Sequence, residues 1–239
     1  MQKVGILTQR ELSAFFFSPI AYVVLAIFLM VTGIFFANDN FVPGGESSLR
    51  ITFGNYLPVI LVFILPMLTM RLLAEELRSG TIESLMTAPV TDADVVLGKF
   101  FGTLVFYLLM LGGTLLHVVL VAMYGTLDVG LVLASYLGLI LLGGLYISVG
   151  LFFSACTRNQ VIAVICSFVL LAVFTFLAEY LARDQEGGLR VVLQHLSIVA
   201  HFQDFARGLV DTNHLIFFVS TTGLFLFLTV KVLESRRWR

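Results

Sequence analysis

Six apolar runs, each long enough or nearly long enough to cross a lipid bilayer as a helix, constrain this chain more than any other feature of its sequence. About 20 helical residues are needed to cross ~30 Å of hydrocarbon. The runs cover approximately residues 20–37, 53–70, 100–124, 131–153, 161–181 and 215–233. Only 12% of the 239 residues are charged, about half the share found in soluble domains. The sequence therefore predicts an all-α integral membrane protein, with residues 1–239 forming a single transmembrane domain of six spans.

Lysine and arginine residues are distributed unevenly between the segments that connect these spans. If the N-terminus lies in the cytoplasm, the cytoplasmic segments carry ten of the 14 basic residues and the outer segments carry four. Because cytoplasmic segments of membrane proteins are enriched in lysine and arginine, this bias predicts that both termini are cytoplasmic. The net charge of −1 gives no indication of a nucleic-acid partner.

Residues 2–18 have the pattern of an amphipathic helix. Val4, Leu7 and Phe15 alternate with polar residues at roughly helical spacing, and Pro19 marks a break before the first span. A helix of this kind lies in the membrane interface, and we expect it on the cytoplasmic side. The alternative is an ordinary charged N-terminal flank.

The connection between the second and third runs is predicted to begin as a continuation of the second helix. Arg71 and Glu75 are four residues apart and Glu75 and Arg78 are three apart, so both pairs can interact along a helix. The sequence Ser-Gly-Thr at residues 79–81 breaks that helix. We therefore expect the second span to extend into the cytoplasm as far as this break.

A short second helix is predicted over residues 81–87. Ile82, Leu85 and Met86 fall on one face of it, at i, i+3 and i+4, and Glu83 presents a carboxylate to the cytosol. An apolar face directed away from the membrane favours a protein partner that covers it. The alternative is that this face packs back onto the helices of the same chain.

The third helix is predicted to begin in the cytoplasm near Asp92. Thr91 and Asp94 have the spacing of a capping box, in which each side chain bonds the backbone N–H of the other residue. Gly98 and Gly102 follow as a Gly-x3-Gly pair, a spacing that permits two helices to approach closely.

The connection before the last span, residues 182–214, is too long for a plain link. It contains two apolar stripes at helical spacing, which predict two short amphipathic helices in or near the outer leaflet. These helices are candidates for a gate at an exit or for a structural lid. One stripe consists of Leu189, Val192, Leu193 and Leu196, and the other of Phe202, Phe205, Ala206, Leu209 and Val210.

His117 is an ionisable residue at membrane depth, which by default indicates a functional site. One hypothesis is therefore an intramembrane enzyme or a haem- or quinone-type redox subunit that uses His117 with His195 or His201. A neutral histidine bonded to a neighbouring helix is the alternative. Cys156 and Cys166 match no zinc or redox spacing and are expected to be buried and inert.

The run Glu-Glu-x-Arg-x-Gly-Thr-x-Glu at residues 75–83, continued through residues 84–90 and 92–99, resembles the cytoplasmic segment of the ABC type-2 transporter permeases. The resemblance is closest to the permease subunits of the gliding-motility and nitrous-oxide-reductase-maturation types. Residues 201–211 are similar to the pattern that precedes the last span in that family. In topology the resemblance extends over the whole chain.

The resemblance implies an exporter permease of a bacterial inner membrane, working as a homodimer or heterodimer bound to two separate ATPase subunits. It also implies that the short helix after residue 80 is a coupling helix that docks into a cleft on the ATPase. The implied ATPase-coupling residues are Glu75, Glu76, Arg78, Thr81, Ile82, Glu83, Leu85 and Met86. The outer-gate candidates are Phe202, Phe205, Arg207 and Leu209.

The sequence lacks the phosphate-binding run Gly-x4-Gly-Lys-Ser/Thr. Gly98-Lys99 is the only Gly-Lys pair in the chain, and Phe100 follows it. We therefore expect no cofactor on this chain and ATP binding by the partner subunit. A passive channel or scaffold, indifferent to ATP hydrolysis, is the remaining alternative.

Overall fold

A computed structural model describes residues 2–40, 49–81, 90–125, 127–177, 180–181, 195 and 197–237. Within these ranges the regular structure is entirely helical. The helices are α1 (Gln2–Phe16), α2 (Pro19–Asn40), α3 (Leu49–Ser79), α4 (Asp92–Tyr124), α5 (Val129–Cys156), α6 (Gln160–Leu177), α7 (Ile198–Ala206) and α8 (Thr212–Arg237).

Six of the described helices, α2 to α6 and α8, are long and apolar enough to cross a membrane. This confirms the predicted all-α integral membrane architecture. The predicted end of the second helix and start of the third are also confirmed, since α3 ends at Ser79 and α4 begins at Asp92. Helix α3 begins at Leu49 rather than near residue 53, because a helix continues past its apolar run wherever its backbone bonds are satisfied.

Helices α3 and α5 form the core of the bundle. In the most apolar stretch of each of them, 72% of the residues are buried, against 11% in α8. Helix α5 packs against α3, α4, α6, α7 and α8, and its Leu142 and Tyr146 are fully buried. A displacement of the end of α3 would therefore act on α5, the helix that contacts most of the bundle.

Helix α3 is not a uniform helix. After a short α-helical start, Leu49–Ile51, residues Thr52–Tyr56 form a π-helix. The last part of α3, Arg71–Ser79, is separated from Leu57–Thr69 at Met70. The division follows Pro66 by one turn, and a proline inside a helix removes one backbone donor. The division lies where the apolar part of the helix meets the extension that carries Arg71, Glu75, Glu76 and Arg78.

The outer helices expose apolar side chains. Val23 and Met30 of α2 and Val219 and Phe227 of α8 are each more than half exposed. In a membrane such faces contact lipid or another subunit.

Two predicted features lie outside the described residues. They are the coupling residues Ile82, Glu83, Leu85 and Met86, and the first outer stripe, Leu189, Val192, Leu193 and Leu196.

Candidate functional site

The extension of α3 ends in a tight glycine cap. Gly80 has φ 74°, a left-handed conformation that glycine adopts without steric cost. The hydroxyl oxygens of Ser79 and Thr81 lie 2.8 Å apart across it, and the chain is helical again at Thr81. Glu75 and Arg78 are exposed on the extension. These three predicted coupling residues, Glu75, Arg78 and Thr81, therefore lie within reach of a partner.

Helix α4 begins with the predicted capping box. The backbone N–H of Thr91 donates to Asp94 Oδ2 over 3.0 Å, and the backbone N–H of Asp94 donates to Thr91 Oγ1 over 3.2 Å. Two of the unpaired donors of the first turn are thus satisfied. The start of α4 is fixed by its own local sequence.

A buried lysine joins three helices at the end of the bundle that carries the α3 extension, which we call the Lys99 end. Lys99 Nζ lies 2.7 Å from Glu76 Oε1 of α3 and 3.2 Å from Glu11 Oε1 of α1. Arg10 Nη2 lies 2.8 Å from Glu11 Oε1 and 3.6 Å from Glu76 Oε1. The Lys99 side chain is only 3% exposed. We call these four side chains the Lys99 cluster.

The cluster pairs each buried charge with an opposite one. Burial by itself would raise the pKa of Glu11, but the charge of Lys99 and hydrogen bonds from Arg10 and Lys99 outweigh it, so this pKa lies below its ordinary value. Glu11 is therefore ionised at neutral pH, with Lys99 Nζ 3.2 Å away. Removing one member of a buried ion pair strands the other, which costs far more than losing a surface pair.

Helix α1 can lie close to α4 because α4 has glycines, Gly98 and Gly102, where the two helices meet. A Cβ atom added at Gly98 would lie 2.5 Å from Leu7 Cβ, and one added at Gly102 would lie 2.7 Å from Glu11 Cβ. Phe15 also stacks on Phe106, with ring centroids 4.9 Å apart. The predicted N-terminal helix and the close-packing role of the glycine pair are both confirmed. The helix that packs against the two glycines is α1.

Arg71 does not form the predicted pair with Glu75 within the part of the chain that the structure describes. Its guanidinium donates to Ser18 Oγ over 2.6 Å and lies over the Phe15 ring, 5.5 Å from its centroid. The prediction was wrong because Arg71 faces the junction of α1 and α2 rather than solvent. Arg71 is thus a second link between α3 and the N-terminal helices.

Ser154 of α5 bonds the backbone of α3 at the point where α3 divides. Its hydroxyl oxygen accepts from the backbone N–H groups of Leu73 and Ala74, each over 3.0 Å, and the hydroxyl donates to the carbonyl oxygen of Met70 over 2.9 Å. One buried hydroxyl thus satisfies three backbone groups. The sequence does not predict this joint, because a serine within an apolar run carries no signal of its partner.

The outer-gate candidates lie at the opposite end of the bundle, which we call the α7 end. Phe202 and Phe205 are fully buried. Arg207 pairs with Asp204 over 3.5 Å, and Leu209 is 60% exposed. The structure therefore brings the two phenylalanines together in the core and leaves Leu209 outside it, while a gating role stays a prediction.

A cavity of about 730 Å³ lies at the α7 end between α3, α6 and α7. Its walls include both π-helical segments, and Asn55 of α3 and Gln203 of α7 are among its few polar residues. Asn55 and Gln203 also line a second cavity of about 500 Å³, whose other lining residues include Arg50 and Arg207. A largely apolar cavity therefore adjoins a second cavity whose lining includes two arginines.

His117 is buried against α2. Its ring stacks on Phe36 with centroids 4.6 Å apart, and its Nδ1 has no hydrogen-bond partner among the described residues. No group of three or more His, Cys, Asp or Glu side chains in the described ranges is placed to hold a metal ion. Both cysteines are free thiols, and Cys156 is exposed rather than buried as predicted, because it is the last residue of α5. Nothing in the described geometry supports the redox hypothesis.

A comparison with protein families gives one independent finding. The family model described as ABC-2 family transporter protein matches residues 16–186. A comparison with curated proteins found no match.

Proposed function

This chain belongs to the ABC-2 family of transporter proteins, and from that premise we propose that it is the permease half of an exporter driven by separate ATPase subunits. It is a multi-pass membrane protein and a permease subunit of an ABC transporter. The proposal adds the direction of transport, pairing with a second permease, and a bacterial inner membrane with both termini in the cytoplasm. A gliding-motility or nitrous-oxide-reductase-maturation type belongs to the same proposal.

The observation that carries the proposal is the Lys99 cluster. It binds α1, α3 and α4 together at the two ends of the segment that holds the predicted coupling helix. A force applied to that segment by an ATPase then moves three helices as one body. Ion-pair networks and rigid helices of this kind can carry energetic coupling between distant sites.

The force has a route through the membrane. Ser154 connects the extension of α3 to α5, and α5 contacts α7, α6 and α8. The other end of α3 contributes its π-helical turns to the large cavity. We propose that this cavity forms part of the translocation path, completed by a second permease against the exposed apolar helices.

The roles of the coupling residues differ within the proposal. Glu75, Arg78 and Thr81 supply polar contacts to the ATPase, together with Glu83. Ile82, Leu85 and Met86 supply the apolar contact. Glu76 Oε1 is engaged by Lys99 and Arg10 and Glu76 Oε2 is buried, so Glu76 acts in coupling by holding the extension in place.

Affinity purification of the tagged chain from native membranes, followed by mass spectrometry, tests the proposal. The expected result is co-purification of an ATPase that carries the nucleotide-binding run absent here. Leu85→Asp should remove that ATPase, and Leu209→Asp at the α7 end is the matched control. Recovery of the intact chain without an ATPase from gently solubilised membranes would contradict the proposal.

A further inference from the structure

Two histidine rings form a continuous hydrogen-bonded chain between α7 and α8. His201 Nδ1 lies 2.7 Å from His214 Nδ1. The other nitrogen of His214, Nε2, lies 2.8 Å from Asp204 Oδ2, and the other nitrogen of His201, Nε2, lies 3.0 Å from the carbonyl oxygen of His195. Each ring therefore uses both of its nitrogens.

The two ends of this chain can only accept. An ionised carboxylate and a backbone carbonyl have no proton to donate, and a neutral imidazole has one N–H and one acceptor nitrogen. Three hydrogen bonds need three N–H groups, whereas two neutral rings supply two. We propose that Asp204, His214 and His201 form a proton-binding site that holds one proton in excess of two neutral rings.

The surroundings place the proton on His214. Its Nε2 faces the Asp204 carboxylate, whose other oxygen lies 3.5 Å from Arg207 Nη1. Burial lowers the pKa of His201, and this effect outweighs the hydrogen bond to the His195 carbonyl, which raises it. His201 is thus the neutral ring: its Nδ1 accepts from His214 and its Nε2–H donates to the His195 carbonyl.

A second proton does not fit the site. It would put an N–H on both Nδ1 atoms across a separation of 2.7 Å and place two positive rings side by side, which is strongly unfavourable. Removal of the first proton also disrupts the series of hydrogen bonds, because one of the three contacts then lacks a hydrogen. All three hydrogen bonds form only when one excess proton is bound.

The site holds together two elements at the α7 end. The ring of His201 stacks on Phe217 of α8, with centroids 4.0 Å apart and planes at 19°. The nearby charged groups on the packed elements are Arg207 of α7 and Arg50 of α3, which line the same cavity, and Asp211 before α8. Proton loss therefore loosens the contact that places α7 against α8, beside the large cavity. This inference goes beyond the proposed function and does not depend on the ATPase.

Nitrogen-15 NMR of the full chain in lipid nanodiscs, with labelled histidine, measures the protonation of each ring directly. Between about pH 5 and about pH 8, we expect the His201–His214 pair to titrate by one proton, with both nitrogens of His214 protonated at the acid end. Two neutral rings throughout, or two doubly protonated rings at the acid end, would overturn the proposal. This measurement on the unmodified chain stands even if a variant does not fold.

Asp204→Asn is the sharpest variant, because its amide can donate to His214 Nε2. All three contacts are then made by two neutral rings, so we expect the proton affinity to fall at least about tenfold, one pH unit. The neutral His214 should also change its tautomer from Nε2–H to Nδ1–H, which loss of a charge alone would not cause. Asp211→Asn removes a nearby carboxylate that contacts the Asn213 backbone and should leave both readouts unchanged. An unchanged tautomer in Asp204→Asn would contradict the proton count.

Discussion

Lys99 Nζ and Glu76 Oε1 lie 2.7 Å apart, and this contact closes the ends of the predicted coupling segment on each other. Glu76 stands near the end of α3 and Lys99 stands near the start of α4, 23 residues later. Glu11 of α1 binds the same ammonium group. The segment between Glu76 and Lys99 therefore joins two helices that are held to each other and to α1 by ion pairs.

Lys99→Met should destabilise the fold strongly. It leaves Glu11 and Glu76 buried without the ammonium group, and removal of one partner from a buried ion pair costs about 3–5 kcal/mol. Thermal unfolding in detergent measures the loss. Lys231→Met is the control, since Lys231 pairs with Glu234 on the exposed surface and its loss should cost less than about 0.5 kcal/mol. Equal effects of the two substitutions would contradict the proposed role of the cluster.

The Lys99 cluster also predicts an acid limit of stability. The pKa of Glu11 lies below its ordinary value of 4.5 because of Lys99 and Arg10. A lowered carboxyl pKa contributes stability above the unfolded-state value, and this contribution is lost as the pH falls through the folded-state value. The unfolding temperature should therefore fall below about pH 4.5, and Glu11→Gln should flatten that part of the profile. Glu234→Gln serves as the exposed comparison, and a Glu11→Gln profile as steep as that of the unmodified chain would rule out Glu11 as the source.

Gly98→Ala should push α1 away from α4. The added Cβ would lie 2.5 Å from Leu7 Cβ, so the helices must separate, and overpacking of this kind costs about 1–3 kcal/mol. The separation should also increase the access of a water-soluble reagent to Lys99. A Cβ added at Gly112 of the same helix meets no described residue within 4 Å, so Gly112→Ala should be neutral or slightly stabilising. If Gly98→Ala leaves the stability unchanged and Lys99 stays inaccessible to the reagent, the position of α1 does not depend on the close contact at Gly98.

Ser154→Ala should weaken the joint between α3 and α5. The substitution leaves the backbone groups of Leu73, Ala74 and Met70 without their side-chain partner, at about 1–3 kcal/mol for buried groups left unsatisfied. Ser148→Ala provides the comparison, because the Ser148 hydroxyl donates within its own helix, to the Leu145 carbonyl. In a reconstituted complex, Ser154→Ala should reduce the conformational response of the α7 end to ATP, as measured by spin-label distances. An undiminished response would remove Ser154 from the proposed route.

Features encoded by neighbouring residues could be predicted from the sequence. The capping box of Thr91 and Asp94 and the break at Gly80 depend on spacings of one turn or less, so their local pattern is sufficient. The six spans follow from the length of hydrocarbon that each must cross.

The centre of the candidate site could not be predicted in the same way. Lys99 is 88 residues from Glu11, and no local spacing relates them. Arg71 shows the opposite error, since its spacing to Glu75 predicted a pair that the approach of Ser18 replaces. A charged residue inside the start of an apolar helix was the available signal for Lys99, and the glycine pair one residue before and three residues after it indicated that another helix lay close.

Site-specific photo-crosslinking in the assembled complex tests the central claim most directly. A photoreactive amino acid is placed at Leu85, within the predicted coupling segment, and in a separate variant at Leu209, which is exposed at the α7 end. We expect position 85 to crosslink to the ATPase subunit and position 209 not to. Crosslinking to the ATPase from position 209, or none from position 85 in a complex that retains the ATPase, would contradict it.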